Sequence, residues 1–492
     1  GGSKDDKFAR DIRLLTNVLI EEPSNSRYCF YLANSYYDSG DNDNAILTYN
    51  RRIKMDGWEQ EVWYCYYRVG LAYMRLFEPE KAIYSWLSGF DLLPFRIENL
   101  YEIIKYYREN GKNALAYWYY IMASESNKKW GASNDYLFIQ KDVYDYKLDY
   151  EMTIIGYYQN HAQININNLC MNVLKCHYVE DHIVKNLMSN YKFYSKKLYD
   201  ENKKHDIINI LQSIPTKIED CVSSTPSFVF CEDYLLVNVR YVNYMIDEKG
   251  NYINKEAIKT INIIYIVDKQ NPKIINEFVL NYDKSMDNYY VGLEDVRLFT
   301  DGCKVFYNAN RGLSYNSMKV EHGEIDIATN STLNSVLIEK PNQEQLEKNW
   351  VMIPSKNDVY MIYNWYPYIT IGKVNGNKFE ETHKIKSPHT FRNLRGSTNG
   401  ILVNNEIWIL CHCVSYEDRR YYYNMVITLN KDTYEVTKYT PYFSFEGQAV
   451  EYSLGFQYME DDTFLIGYSL YDKETKYMNI SRNYFLENMI QQ

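Results

Sequence analysis

The stretch SRYCFYLANSYYDSGDNDNAILTYNRRIKMDGWEQEVWYCYYRVG, residues 26–70, decides how the amino-terminal half folds. With Ala33 as origin, Tyr36, Gly40, Ala45 and Tyr49 stand 3, 7, 12 and 16 positions on. Gly70, Tyr73, Ala82 and Trp86 repeat positions 0, 3, 12 and 16, and Pro94 closes that unit at position 24. Ile104, Tyr107, Gly111, Ala116 and Tyr120, with Ala123, make a third copy 34 residues after the second. Small residues at the origin and at position 12 let the two helices of a hairpin approach, while the aromatic positions fill the groove toward the next hairpin. Gly40 and Gly111 release the chain at the turn.

This spacing resembles the tetratricopeptide repeat, with a three-residue insertion around Asp56-Gly57-Trp58 between the first and second copies. The same run is similar to the helical segments that follow family 2 nucleotide-sugar glycosyltransferase domains. No DxD motif in a nucleotide-binding context accompanies it, so the chain is expected to be the back part of a longer polypeptide. Residues 5–130 are read as a helical-repeat scaffold that offers a surface to a protein partner. Residues 131–222 are read as a helical cap and connector sealing the last apolar face of the stack. Their helical pattern includes Leu187, Tyr191, Tyr194 and Leu198 at i, i+4, i+7 and i+11.

Bulk properties narrow the partners. A net charge of -10 and a pI near 5.5 argue against a nucleic-acid binder, which holds a phosphate backbone with clustered Lys and Arg. The nearest basic run, Lys196, Lys197, Lys203, Lys204 and His205, is broken by acidic residues and tyrosines and reads as a solvated face. Nine scattered cysteines fit the reduced thiols of a cytoplasmic compartment better than a disulfide framework. Cys411-His412-Cys413 lacks zinc-knuckle spacing, and on a strand its cysteines point one way and its histidine the other. No apolar run of 18 residues and no signal segment stands out, so a soluble chain without a membrane span is expected. The 53 tyrosines, with abundant Asn, Ile and Lys, match an AT-rich genome such as that of a large virus or a protist. Exposed tyrosines also suit sugars, since they offer a flat apolar face and a hydroxyl.

From about Ser223 the period changes to short β-rich runs: YLLVNVRYVNYMI, TINIIYIVD, KVFYNANRG, VYMIYNWYPYITIGKV, GILVNNEIWILCHCV, YYYNMVITLN and TFLIGYSLYD. Turn signals such as Asp247-Glu248-Lys249-Gly250 and Asp301-Gly302 separate them. Many short strands imply a sandwich, barrel or propeller, and residues 223–487 would make five four-stranded blades. Five motif groups occur in order: TPSFVF (225–230) with NVRYVNY (238–244), GLEDVRLF (292–299), EKNW (347–350) with IYNWYP (362–367), LRGSTNG (394–400) with ILCHCV (409–414), and VEYSLGF (450–456) with YSLYD (468–472). The series resembles the five-bladed propellers of family 130 mannoside phosphorylases and hydrolases and the related β-mannosyltransferases. Where that group usually carries Pro, this chain has Val296.

A propeller brings inner strands around one funnel, so distant motifs can share a site. The resemblance implies that Asp295 is the general acid for the glycosidic oxygen. Glu294 and Asp295 are adjacent, so on a regular strand only one faces the funnel, and Arg297 shares the face of Asp295. An Arg beside a carboxylate can hold it ionised or bind phosphate, bidentately in either case. Arg240, Lys348, Arg395 and His412, if they converge, form a cationic pocket for a sugar phosphate or the diphosphate of a nucleotide sugar. Asn243 and Asn349 lie in the same motifs as polar substrate contacts, and Trp350, Trp365 and Tyr366 are candidates to stack on sugar rings. The expected activity is transfer or phosphorolysis of a mannosyl-like unit with inversion, from such a donor to a glycan acceptor, without cofactor or metal. A glycoside hydrolase would need a second carboxylate for water, roughly 6.5 to 9.5 Å from the first; Glu451 and Asp472 are the candidates. A propeller that only binds glycan or protein is the non-catalytic alternative.

Overall fold

The computed structural model describes residues 4–55, 57–159, 164–198, 206–247, 252–253, 258–314, 316–340, 344–355, 358–417 and 419–492. Asp56 of the insertion, Lys203, Lys204 and His205 of the basic run, and residues 248–250 of the first turn signal lie outside them. Two compact units result, one ending at Leu187 and one running from Met188 to Gln492. No helix of the described residues is long and apolar enough to cross a membrane.

In the first unit, α1 (Lys4–Glu21) precedes three helical hairpins: α2 (Ser26–Asp38) with α3 (Asn42–Ile53), α4 (Glu59–Arg75) with α5 (Pro79–Leu92), and α6 (Glu98–Glu109) with α7 (Asn113–Trp130). Asn25 and Asp41 start α2 and α3 by accepting the backbone N–H groups of Tyr28 and Asn44. The repeat positions are the contact positions, since Ala33, Ala45, Tyr49, Ala82, Trp86, Ile104, Ala116 and Tyr120 are all buried. At Gly70 a Cβ would meet Trp86 Nε1 at 2.2 Å. That indole donates to the Tyr67 carbonyl at 3.1 Å, so the close approach is fixed by a hydrogen bond as well as by packing. The insertion is closed from within: buried Arg52 donates to the Met55 carbonyl at 3.2 Å and to Glu61 at 3.0 Å.

The connector expected over 131–222 is divided, because residues up to 187 belong to the helical unit and those from 188 to the β-rich unit. The stripe from Leu187 to Leu198 does not form one helix. Its helix ends at Asn190, Tyr191–Phe193 make a single 3-10 turn, and Lys196–Lys197 pair in parallel with Phe443–Ser444. Burial of the Tyr191 ring against Tyr423 and Tyr442 wins over the helical period.

The second unit is a β-propeller whose main strands form antiparallel meanders, with two short parallel pairings at their edges among the described residues, Lys196–Lys197 with Phe443–Ser444 and Ile258–Lys259 with Tyr290–Val291. Sheet one holds β1 (Cys221–Phe230), β2 (Tyr234–Val242), β3 (Ile258–Asp268) and β4 (Ile274–Val279). Sheet two holds β5 (Glu294–Thr300), β6 (Val305–Ser314), β7 (Ser317–Asp326) and β8 (Ser331–Leu337). Sheet three holds β9 (Val351–Ile353), β10 (Val359–Asn364), β11 (Tyr368–Asn375) and β12 (Lys378–Lys386). In sheet four, β13 (Leu394–Gly396) and β14 (Ile401–Val403) both pair β15 (Glu406–Tyr416), followed by β16 (Arg420–Asn430) and β17 (Val436–Tyr439). The fifth, β18 (Glu451–Tyr458), β19 (Thr463–Leu470) and β20 (Glu474–Ser481), has three strands rather than the expected four. At the Asp301-Gly302 turn, Asp301 accepts the N–H groups of Cys303 and Lys304, and Gly302 takes φ +95.

Apolar clusters sit between neighbouring sheets. Leu236, Ile264, Val296 and Tyr307 join the first to the second, Val320, Trp350 and Met361 the second to the third, and Trp408, Phe456 and Phe464 the fourth to the fifth. Phe228, Val237 and Leu465 close the fifth onto the first. Hydrogen bonds add to the same seams: Ser227 to the Val296 carbonyl, Asn308 to the Trp350 carbonyl, and Thr225 with Ser469. The third meets the fourth where Asn399 accepts the Met352 N–H.

In the helical unit the second hairpin departs from the others at one turn. Gly40 and Gly111 take φ +87 and +69 at position 7, and Phe77 takes φ +59 at the same position. Phe77 is 92% exposed, so its ring gains little from burial while its backbone carries a conformation that disfavours a Cβ. Phe77→Gly is expected to stabilise the protein by about 0.5–1 kcal/mol, seen as a higher urea midpoint by far-ultraviolet dichroism; a lower midpoint would contradict the turn argument.

Candidate functional site

At GLEDVRLF the strand is irregular. Register shifts between Glu294 and Arg297, and Asp295 takes φ +54, a left-handed conformation that Asp tolerates better than most residues. This bulge overturns the alternation expected from sequence. Both carboxylates turn to Arg240: its Nη1 donates to Asp295 Oδ1 at 2.5 Å and its Nη2 to Glu294 Oε1 at 3.2 Å. Arg240 is itself buried, and its Nη2 also donates to the Tyr244 hydroxyl at 2.5 Å.

Arg297 does not share the exposed face of Asp295. Fully buried, it donates to the Ser397 and Asp295 carbonyls at 2.6 and 3.0 Å, to the Tyr452 hydroxyl at 2.8 Å and to Asn349 Oδ1 at 3.2 Å. It therefore braces sheets two, four and five from below the site. The Tyr452 hydroxyl accepts from Arg297 and has one proton to give, with Asp295 Oδ2 at 3.2 Å and Asn349 Oδ1 at 3.3 Å as acceptors. Asn310 donates to the same Oδ2 at 3.1 Å. Asp295 thus accepts from a guanidinium, an amide and a phenol, which fix its orientation.

These groups open into a cavity of about 100 Å³. Arg240, Glu294, Asp295, Lys348, Asn349, Arg395, His412 and Asp472, eight of the residues singled out from sequence, line it. They come from all five sheets or from the residues entering them, and this convergence is what a funnel requires. Asn310, Tyr416, Arg420, Tyr422, Val450 and Tyr452 also line it and were not singled out. Asn310 and Tyr422 lie inside quoted strand runs, and Tyr452 stands one residue from a chosen position, so strand parity was the missing signal.

Five candidates fall elsewhere. Glu451 is buried facing away, where its carboxylate accepts the N–H groups of Phe445, Glu446 and Gln448 at 2.5, 2.8 and 2.7 Å and pins that turn. Asn243 accepts the Lys259 N–H at 2.8 Å and spans the ends of β2 and β3. Trp350 is buried edge-on against Tyr363 and Phe379, with its indole N–H on Glu347 at 3.2 Å. Trp365 is buried as well, and the Tyr366 hydroxyl engages His389 Nδ1 at 3.1 Å.

Charge in the cavity is mixed, with four cationic side chains, Arg240, Lys348, Arg395 and Arg420, and three carboxylates. Burial pushes the Glu294 carboxyl above the usual range against the pull of Arg240. Burial raises Asp472 too, again opposed by Arg240, while Asp295 adds to the rise. Asp472 takes φ +52 at the turn after β19 and hydrogen-bonds the Tyr244 side chain. Burial keeps Tyr452 a protonated donor. His412 is held well below its ordinary value, by burial first and then by Arg395, Arg297 and Lys348. Its imidazole is therefore neutral, with Nδ1 on Ser397 Oγ at 2.8 Å and its ring against Tyr422 and Tyr452. On the strand its neighbours Cys411 and Cys413 point into the core, and burial pushes the Cys413 thiol up to about 12. Among the described residues no three His, Cys, Asp or Glu side chains are grouped to hold a metal ion.

No protein-family model and no curated protein matches the chain. Solved structures do. A β-1,2-mannobiose phosphorylase from Listeria innocua, in complex with β-1,2-mannobiose, is similar at 13% identity and a TM-score of 0.41, over 59% of this chain and 98% of that one. A mannose phosphorylase from Leishmania mexicana, in complex with phosphate, is similar at 8% identity and a TM-score of 0.38, over 63% of this chain and 97% of that one. For the helical repeats, the MamA protein is similar at 16% identity and a TM-score of 0.25, over 39% of this chain and 90% of that one.

The neutral imidazole has a measurable consequence. A histidine whose folded pKa lies below its ordinary 6.5 binds fewer protons when folded, so its contribution is complete above that pH and is lost as pH falls. In His412→Gln this loss disappears. The stability of wild type relative to His412→Gln, measured by urea unfolding, is expected to shrink on going from about pH 7.5 to about pH 5; a pH-independent difference would count against a buried neutral His412.

Proposed function

We propose that the propeller moves a glycosyl unit between a phosphate-bearing donor and a hydroxyl acceptor, with inversion, and that Asp295 handles the acceptor proton. The observation that carries this reading is one cavity in which a carboxylate fixed by Arg240 faces Lys348 and Arg395. Among the described residues neither of these cations has a carboxylate within ion-pair distance. Lys348, Arg395 and Arg420 suit the charge of a phosphate or diphosphate, and neutral His412 adds a hydrogen-bonding group without repelling it.

In the transfer direction, the acceptor oxygen attacks the anomeric carbon from the face opposite the leaving group. Its proton passes to Asp295, and the bond to the phosphate oxygen breaks with its electron pair leaving on phosphate. Arg240, Asn310 and Tyr452 hold that carboxylate in the wall of the cavity, where it is placed to take the proton. In phosphorolysis the same group, once protonated, returns the proton to the departing sugar hydroxyl, which is the acid role implied by the sequence resemblance. The mannosyl-like character of the sugar rests on that resemblance.

The hydrolase reading loses Glu451, whose carboxylate is committed to three backbone N–H groups, and keeps Asp472. The helical unit is assigned a scaffold role, open to a protein partner. A cytoplasmic location belongs to the same proposal and is supported by nine free cysteines.

The test is turnover of mannobiose with inorganic phosphate, and of sugar 1-phosphates and nucleotide sugars with glycan acceptors. Asp295→Asn is expected to lower kcat by about 10²- to 10⁴-fold with donor binding retained. Lys348→Ala and Arg395→Ala are expected to act mainly on KM for the anionic partner. Release of free sugar in phosphate-free buffer, abolished by Asp472→Asn and indifferent to Lys348→Ala, would establish the hydrolase instead.

A further inference from the structure

A second cavity, of about 220 Å³, lies in the β-unit and shares no residue with the first. Leu211 and Ile214 contribute to it from the helical arm Asp206–Gln212 and the residues after it, Ser223 from β1, Val239 from β2, and Thr475 and Tyr477 from β20. It is several times the ~30 Å³ share of one water molecule, so a single ordered water does not fill it.

Two of its polar groups lack partners. Ser223 Oγ and the Tyr477 hydroxyl are buried and have no hydrogen-bond partner among the described residues. Native structures leave few buried hydroxyls unpaired, because such a group has lost water without replacement. Thr475 Oγ1 donates to the Ser224 carbonyl at 2.5 Å and keeps its own lone pairs for a donor. Charge plays little part. Lys476 is the single ionisable cation or anion of the lining, and Glu474 neutralises it at 2.6 Å. Leu211, Ile214 and Val239 give the same cavity an aliphatic side.

A ligand for this space is neutral, carries several hydroxyls along one edge and presents an apolar face along the other. That is the chemistry of one pyranose ring. We propose that the cavity is a second carbohydrate-binding site that takes one neutral sugar residue of a glycan. The site does not depend on the reaction proposed above, because neither Asp295 nor the cations of the first cavity touch it.

The experiment is saturation-transfer NMR of the full chain with methyl α-mannopyranoside in phosphate-free buffer, comparing wild type with four variants, Asp295→Asn among them. Lys348→Ala/Arg395→Ala impairs the first cavity, Ser223→Val removes an unpaired hydroxyl of the second, and Gln212→Trp narrows its entrance from an exposed position. The double variant and Asp295→Asn are expected to keep the sugar signal, while Ser223→Val and Gln212→Trp weaken binding at least tenfold with an unchanged melting temperature. If Ser223→Val does not fold, Gln212→Trp alone decides. Sugar signals equal to wild type in Gln212→Trp, or no sugar signal in wild type, would overturn the proposal and leave a cavity holding water only.

Discussion

The β-unit depends on one buried guanidinium. Arg240 enters from sheet one, and its charge has no access to bulk water, so the fold must supply anions to it. Removing one partner of such a pair typically costs about 3–5 kcal/mol, because the remaining charge is stranded in a poor dielectric. Sheet two supplies two carboxylates through the bulge at Asp295, and the turn after β19 brings a third near it. The need to neutralise Arg240 and the need to place Asp295 in the funnel are therefore met by the same backbone irregularity. A left-handed residue is unfavourable in isolation, and here the ion pair and two further hydrogen bonds to its carboxylate offset that strain.

Around that pair the site is braced from beneath. Arg297 fixes the Tyr452 hydroxyl, the Asn349 amide and two carbonyls, so three sheets are held relative to one another by one planar donor set. Because Tyr452 accepts from Arg297, its proton can only point at Asp295 or Asn349. The direction of a proton next to the Asp295 carboxylate is thus set by a residue that itself does not reach the cavity. Preorganisation of this kind is what lets a small polar site act on a substrate without first reorganising its own dipoles.

The helical repeats were legible from spacing because their constraint is local. A residue 12 positions after the origin always lies across the same hairpin, and burial of Ala45, Ala82 and Ala116 follows from that geometry alone. The change to short strands after about Ser223, and with it the propeller, was legible as well. What sequence could not carry was parity. Alternation assigned Glu294 and Asp295 to opposite faces and put Arg297 beside Asp295, and a single left-handed residue reversed both inferences. The stripe from Leu187 to Leu198 departed from its helical period for a different reason: a short apolar stripe has no preference between a helix and a strand until a partner such as Phe443–Ser444 is present.

Parity also decides which side chain of the fifth sheet faces the cavity. In VEYSLGF the two neighbours Glu451 and Tyr452 compete for the funnel, and a carboxylate there would have given a second acidic group opposite Asp295, the arrangement that water activation requires. The strand instead sends Tyr452 inward and spends Glu451 on three amide N–H groups of the turn before it. A phenol that stays protonated cannot act as a base toward water, but it can hold the orientation of Asp295. With Glu451 withdrawn, the cavity contains Asp295 fixed by three donors, Glu294 paired with Arg240, Asp472 at the turn after β19, and a cationic side formed by Lys348, Arg395 and Arg420. An anion fits that distribution better than a neutral water nucleophile does, since the cations gain by pairing with it while water leaves them as they are.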